Sequence, residues 1–240
     1  LILETFCLYP LVHSPLIFLH IHSYPLLNSL RIALISSVIT FFIGIFLAYY
    51  ISKLNRFVRG ILDVILTLPL VLPPTVIGFF ILRLLSPKSA IGSFFLEKFS
   101  IRLVMNWYSA IFATVVVTFP LMYRIARSSF QNFDMNLKYV AQTLGKSNIW
   151  IFWRITLPNC KQGILAGLVL SFARALGEYG ATSMVSGYTP NDTATISTTV
   201  YQLWRTGNDA LAYRWVLVNI VISFTVLIII NMLEKKAVKD

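Results

Sequence analysis

Long apolar runs, separated by short stretches that hold most of the charged residues, dominate this sequence. A helix needs about 20 apolar residues to cross the hydrocarbon core of a bilayer. Five runs approach or exceed that length, so the pattern predicts five transmembrane helices. They cover residues 26–51, 61–82, 107–126, 163–185 and 215–233.

The composition also indicates a membrane protein. Hydrophobic residues make up 57% of the 240 residues, and charged residues only 12%. A soluble domain carries about 25% charged residues, which keep its surface in water. We therefore predict an all-α polytopic membrane protein with a bundle of five core helices.

Residues 1–25 form a less regular segment. They include an apolar stretch and several aromatic residues, but Pro10, Pro15 and Pro25 interrupt them. We predict that this segment is extracytoplasmic or lies at the lipid interface, and that the transmembrane domain covers residues 26–233. A sixth span within the segment stays open.

All three histidines lie in this N-terminal segment, at His13, His20 and His22. The separation of two residues between the last pair suits a strand better than a helix, and no cysteine or carboxylate cluster joins them. We therefore expect no metal site.

The positive charge is concentrated on one side of the predicted membrane domain. The formal net charge is +11, and 12 of the 20 basic residues lie after the first span, between the third and fourth spans, and in the tail at 234–240. With five spans these segments share one side, which the enrichment of Lys and Arg marks as the cytoplasm. We predict an outer N-terminus, a cytoplasmic C-terminus and no nucleic-acid partner.

Prolines and small residues mark three of the spans. Pro69, Pro73 and Pro74 interrupt the second span and Pro120 the third, so neighbouring helices or a water-lined path must satisfy the freed carbonyls. Small residues follow one another at helical spacing in the fourth span, at Gly163, Gly167, Ser171, Ala173, Gly177 and Ala181. They permit close helix contact, and we favour packing within the bundle over a dimer interface.

Residues 131–158, between the third and fourth spans, are predicted to form two short cytoplasmic helices. Asp134 is a good N-cap, and Gly145 follows where a glycine commonly ends a helix. Between them an apolar helix face is formed by Leu137, Val140, Ala141 and Leu144. Asn148 is predicted to cap the second helix, and Pro158 to end it. The pattern leaves open whether this loop lies on the membrane or docks a partner protein.

Two blocks in this loop resemble the EAA signature of ABC importer permeases. They read Ala141-Gln142-Thr143-Leu144-Gly145 and Ile155-Thr156-Leu157-Pro158. The spacing of the glycine and of the final Leu-Pro matches the signature, whereas Val140 and Gln142 replace its acidic residue and second alanine.

This resemblance implies that the loop forms coupling helices that insert into a groove of a cytoplasmic ATPase. The implied docking residues are Val140, Ala141, Gln142, Leu144, Gly145, Leu157 and Pro158. The ATPase subunits would bind ATP and Mg²⁺, and this chain would hold neither a cofactor nor a catalytic residue.

Three further blocks resemble the molybdate permeases of that family. They read LPLVLPPTVIG at 68–78, FPLMYR at 119–124 and FARALGEYGAT at 172–182. The related sulfate and thiosulfate permeases typically read Leu-Pro-Thr-Ser-Val-Ala-Gly at the positions of 72–78, which favours molybdate, with tungstate, over sulfate. The resemblance also implies a type I permease fold, a second copy of the chain, and an extracytoplasmic oxyanion-binding protein.

Arg174 and Glu178, four residues apart in the fourth span, are the candidate functional charges. Charges at this depth are usually paired or face water, so a structural ion pair and an anion-attracting guanidinium are both open. The other candidates at the pathway are Pro73, Pro74, Thr75 and Thr182.

Two other classes of function are less well supported. A secondary transporter would need internal repeats or free intramembrane carboxylates, and Glu178 and Asp63 are the only acidic candidates inside the spans. An intramembrane enzyme would need a Ser/His pair, paired Asp residues or a His-Glu-x-x-His motif, and no span contains one.

Overall fold

The computed structural model describes residues 15–239, and the side chains of residues 23–228. Every regular element in that part of the chain is helical. The helices are α1 (Pro15–Ser52), α2 (Arg56–Val71), α3 (Pro74–Leu85), α4 (Ala90–Phe99), α5 (Trp107–Gln131), α6 (Met135–Thr143), α7 (Asn148–Ile151), α8 (Leu157–Asn159), α9 (Lys161–Leu176), α10 (Gly180–Val185), α11 (Ile196–Arg205) and α12 (Asp209–Lys239). A π-helical turn at Phe152–Thr156 joins α7 to α8.

Helix α5 forms the centre of the bundle and packs against α1 and α9. Its buried side chains include small residues and threonines, which let the neighbouring helices approach closely. Thr114 and Thr118 are fully buried, and their hydroxyls donate to the carbonyls of Ala110 and Thr114 at 2.8 Å. These internal hydrogen bonds satisfy polar groups that would otherwise be costly in a bilayer.

The first helix begins earlier than predicted. Helix α1 starts at Pro15 rather than near residue 26, and it continues through Pro25. A bilayer favours continuation because every backbone group there needs a partner, while a proline removes only one donor. Residues 15–25 are therefore helical, and their location outside the membrane or at the lipid interface stays a prediction. His13 and the side chains of His20 and His22 lie outside the described residues.

Two of the predicted spans are broken rather than continuous. The second span divides into α2 and α3, which meet at an angle of 108°. Pro73 cannot donate to a helical carbonyl, and Leu72 before it adopts an extended conformation with ψ 142°. The fourth span divides into α9 and α10, with a break at residues 177–179 that no proline causes.

The remaining predicted spans are single helices. Ser23–Ser52, Trp107–Gln131 and Asp209–Ile228 are each long and apolar enough to cross a membrane. The small residues of the fourth span serve contacts within the chain, because a Cβ added at Gly167 would lie 3.0 Å from Met122 Sδ on α5. Packing within the bundle therefore accounts for Gly167, in agreement with the interpretation that we favoured from the sequence.

Candidate functional site

The first half of the loop between α5 and α9 has the predicted structure. Asp134 caps α6, since its Oδ1 accepts the backbone N–H of Asn136 at 2.9 Å. The chain then turns at Gly145, whose φ is +73°. The N–H groups of Gly145 and Lys146 donate to the carbonyls of Gln142 and Ala141, which closes the end of α6.

The second half of the loop differs from the prediction in its cap. Ser147 rather than Asn148 caps α7, and its Oγ accepts the Trp150 N–H at 3.3 Å. The Asn148 side chain instead accepts from Gln142 Nε2 at 3.0 Å. This hydrogen bond links α7 to α6 across the glycine corner, so the two short helices hold a fixed relative orientation.

Pro158 does not end the second helix. The π-helical turn widens the backbone just before the proline, and the Leu157 N–H donates to the carbonyl of Phe152, five residues earlier. Pro158 then lies within the first turn of α8, where its missing N–H costs little. The helical path therefore continues almost unbroken from the loop towards α9.

The loop presents an apolar surface to its surroundings. Ala141 points inward and is 4% exposed, whereas Leu144 and Ile149 are 71% and 74% exposed. Five of the exposed apolar side chains are named the docking surface, after the role that the sequence predicts for this loop; they are Val140, Leu144, Ile149, Trp150 and Trp153. Of the residues predicted to dock, only Val140 and Leu144 belong to this surface. Gln142, Gly145 and Pro158 are exposed beside it, and Leu157 packs partly into the core.

The breaks of the two divided spans lie against each other. A Cβ added at Gly180, the first residue of α10, would lie 2.9 Å from Pro74 Cβ and 3.2 Å from the Thr75 nitrogen. A Cβ at Gly78 would meet the Cα of Ala181 at 2.8 Å. The N-terminal ends of α3 and α10 therefore meet inside the membrane domain.

The residues predicted to line the pathway differ in how much of their surface is exposed. Thr75 and Pro73 are exposed beside the break, and Pro74 is partly covered. Thr182 is only 1% exposed, so its hydroxyl is not available to a passing ion in this conformation.

Arg174 and Glu178 form an ion pair across the second of these breaks. Arg174 Nη1 lies 2.5 Å from Glu178 Oε2, and Glu178 Oε1 accepts the Ala181 N–H at 2.9 Å. Glu178 is 3% exposed, whereas the Arg174 side chain is 38% exposed. The carboxylate thus connects the end of α9 to the first turn of α10, while the guanidinium still reaches its surroundings.

A second polar network, which the sequence did not reveal as a unit, joins α2 to α5. Asp63 Oδ1 pairs with Arg127 Nη1 and accepts the Tyr123 hydroxyl at 2.5 Å. The residues are 60 or more positions apart, so no periodicity connects them. The sequence offered one indication of this network: Asp63 and Arg127 lie within or next to apolar spans, where a charged residue needs a partner.

The same helical arrangement occurs in solved transporters. The chain is similar to a chain of a bacterial ABC transporter that imports the acidic polysaccharide alginate, with a TM-score of 0.74 and 19% identity over 96% of this chain and 83% of that one. It is also similar to a chain of the inward-facing MetNI methionine ABC transporter, with a TM-score of 0.72 and 12% identity over 93% and 98%. At these identities the likeness shows the fold alone, an ABC importer permease bundle.

Curated sequences are similar at higher identity. The putative molybdenum transport system permease protein YvgM of Bacillus subtilis is 35% identical over 86% of this chain and 91% of its own length. ModB, the molybdenum transport system permease protein of Haemophilus influenzae, is 36% identical over 88% and 93%. The sulfate transport system permease protein CysW of Synechocystis is 31% identical over 85% and 74%.

A family described as the binding-protein-dependent transport system inner membrane component matches residues 25–239. That range includes the loop between α5 and α9 and both broken spans, so the match covers the whole candidate site. The chain is a multi-pass membrane protein and belongs to the family of binding-protein-dependent transport system inner membrane components.

Proposed function

We propose that this chain is the membrane-spanning permease subunit of an ATP-driven importer that carries molybdate, with tungstate as a related substrate. The observation that carries the substrate is the 35–36% identity to two molybdenum transport permeases over more than nine tenths of their length. Sulfate is the alternative, and it is less well supported because the match to the sulfate permease is 31% over 74% of that protein.

An ATPase subunit docks on the cytoplasmic loop in this proposal. The docking surface offers apolar side chains on two short helices whose ends are capped and which a hydrogen bond connects. Such a preorganised apolar surface suits a groove in a partner protein, because little conformational entropy is lost on binding. ATP and Mg²⁺ are bound by that partner, and this chain contributes no cofactor site.

The state of the intramembrane carboxylates favours a pump driven from outside the chain. Asp63 and Glu178 are each engaged in an ion pair, so neither is free to bind a coupling ion in this conformation. A secondary transporter usually exposes such a group to its ion. The driving force therefore comes from the docked ATPase.

Membership of this family implies two further partners. A second copy of the chain completes the pathway, and an extracytoplasmic oxyanion-binding protein delivers the substrate. The docking loop and the C-terminus lie in the cytoplasm, and the N-terminus lies outside, if the chain has five spans.

Uptake by the reconstituted system tests the substrate. The chain is placed in liposomes with its ATPase inside and a loaded binding protein outside, and labelled molybdate is counted with unlabelled tungstate or sulfate as competitor. We expect ATP-dependent uptake that tungstate suppresses and sulfate does not. Uptake of sulfate alone, or uptake that needs only an ion gradient, would contradict the proposal.

A further inference from the structure

A cluster of aromatic and cationic side chains lies at the break in the fourth span, outside the groups discussed so far. Tyr179 occupies the break, with φ −126° and ψ −48°. Its ring centroid lies 5.2 Å from that of Tyr201 on α11. Arg205 follows Tyr201 by four residues on α11 and both side chains are exposed, so they lie on the same face of that helix.

Helix α11 has two different faces. One face is buried and holds Ile196, Thr198 and Thr199. The other is exposed and holds Tyr201, Trp204 and Arg205. An exposed guanidinium is costly against the hydrocarbon core, so this face suits water, the lipid headgroup region or a protein partner.

Arg205 is not neutralised by an acidic neighbour. Among the side chains described at 23–228, it forms no ion pair, and Asp209 four residues later forms none either. Its position at the end of α11 gives it a favourable interaction with the helix dipole, which is a modest effect. That interaction accounts for helix stability but not for Tyr201, one helical turn before Arg205, or for the Tyr179 ring beside Tyr201.

The donor set matches a tetrahedral oxyanion. A guanidinium presents several N–H donors in a planar fork, and it binds oxyanions through paired charge-assisted hydrogen bonds. Tyrosine hydroxyls donate further hydrogen bonds and place apolar rings around the ligand. The cluster is half exposed, so it holds an anion weakly enough to release it, as a transport pathway requires.

We infer that Tyr179, Tyr201 and Arg205 form a transient binding site for the translocated oxyanion, at the end of the fourth span that lies away from the docking loop. The inference rests on the proposed function, because the same oxyanion is the substrate. Tyr201 and Arg205 lie outside the EAA signature and outside the three sequence blocks. Tyr179 lies inside the third block, but the resemblance assigned it no role.

The test is a rate measurement on the complete reconstituted transporter. Labelled molybdate uptake is followed while the concentration of loaded binding protein is varied, which separates the maximal rate from the half-saturating concentration. Arg205→Gln is expected to lower the maximal rate by roughly tenfold, and Tyr179→Phe by about threefold, from the usual strength of charged and neutral hydrogen bonds. Arg205→Lys keeps the charge and is expected to restore part of the rate.

The control is Arg214→Gln, which removes an exposed arginine from the neighbouring helix α12. We expect it to leave uptake unchanged, and all four variants to keep the melting temperature and the basal ATPase rate of the wild-type complex. Tyr179→Phe and Arg205→Lys are mild enough to fold if Arg205→Gln does not.

Three results would overturn the inference. Equal maximal rates for the Arg205 variants, Tyr179→Phe and the wild type would show that no oxyanion binds there. A change confined to the half-saturating concentration would mean that Arg205 contacts the binding protein. A matching loss of melting temperature would mean a structural role. If the wild-type complex itself imports no molybdate, the proposed function fails, and this inference fails with it.

Discussion

The two broken spans are held in place by different kinds of ion pair. In the fourth span, Arg174 and Glu178 lie four residues apart and stabilise the break itself. In the second span, Asp63 of α2 pairs with Arg127 of α5, 64 positions away in the chain. One pair is local and shapes a single span, whereas the other connects two helices.

The two spans also differ in the other contacts that hold their helices in the bundle. Helix α9 packs against α5 and α1 and has several buried residues, so its ion pair is one contact among many. Helix α2 has no fully buried residue. Leu62 and Leu66 pack partly against the core, and Asp63, whose side chain is 16% exposed, gives the helix one polar connection to the centre of the bundle. A hinge at Pro73 together with one polar anchor makes α2 the more easily displaced of the two.

The largest effect is expected from breaking the non-local pair. Asp63→Asn removes the carboxylate that faces Arg127 and weakens the acceptor of the Tyr123 hydroxyl. The Arg127 and Asp63 side chains are 20% and 16% exposed, so we expect a loss at the lower end of the range for buried pairs, about 3 kcal/mol of unfolding free energy. Unfolding in mixed micelles measures the loss.

The double variant Asp63→Leu with Arg127→Met is the control for that experiment. Replacing a buried ion pair with apolar residues is often neutral, so most of the stability is expected to return. A single variant that costs less than about 1 kcal/mol would show that α2 is held in another way.

The local pair should respond unequally to the removal of its two partners. Arg174→Ala leaves the buried Glu178 with a single N–H partner, and we expect a loss of about 3 kcal/mol. Glu178→Gln keeps an acceptor for Ala181 and leaves a partly exposed arginine, and we expect about 1 kcal/mol. The same unfolding assay measures both, and a larger loss for Glu178→Gln would reverse our assignment of the buried partner.

The contact between the two breaks is tested by adding one methyl group. Gly78→Ala places a Cβ 2.8 Å from the backbone of α10, and overpacking of this kind costs about 1–3 kcal/mol. Gly60→Ala on the exposed α2 meets nothing within 4 Å, and it is expected to stabilise the helix by up to about 1 kcal/mol. Equal effects on the melting temperature would mean that the breaks do not touch.

The smallest effect is expected at Cys160, just before α9, and it is a slow rate of thiol alkylation. Burial raises the pKa of the Cys160 thiol to about 11, and the thiol donates to the Ser129 carbonyl of α5 at 3.4 Å. At pH 8 roughly one thiol in a thousand is ionised, so alkylation is slow and speeds up as the pH rises towards 11. Iodoacetamide labelling of a Cys7→Ser variant measures this rate.

The exposed neighbour Asn159 provides the comparison for the thiol. Asn159→Cys, made in a chain without Cys7 and Cys160, is expected to react at least about a hundredfold faster at pH 8. Equal labelling rates would show that the start of α9 does not stay packed against α5.

Local features of the sequence predicted much of the structure. The Asp134 cap, the Gly145 corner and three of the five apolar runs depend on neighbours within a few residues, and each is confirmed in position. The prolines of the second span indicate the break before Pro73, but from the sequence we expect one bent span there and not two helices.

Other features depend on contacts that the sequence order does not show. The break at 177–179 has no proline, and it is stabilised by Glu178 and by the approach of Pro74 to Gly180. The pairing of Asp63 with Arg127 and of Tyr179 with Tyr201 needs the folded bundle. The π-helical turn before Pro158 is likewise not indicated by the sequence order, and Ile151 and Thr156 at its two ends are buried.

The central claim, that an ATPase docks on the loop between α5 and α9, is tested most directly by co-purification. The wild-type chain, Gly145→Asp and Gly207→Asp are each expressed with the ATPase subunit, and the bound ATPase is quantified. Both glycines have positive φ, +73° and +77°, and open space around them, so the strain is matched. The account predicts that Gly145→Asp loses the ATPase while Gly207→Asp retains it, and equal retention by both variants would contradict it.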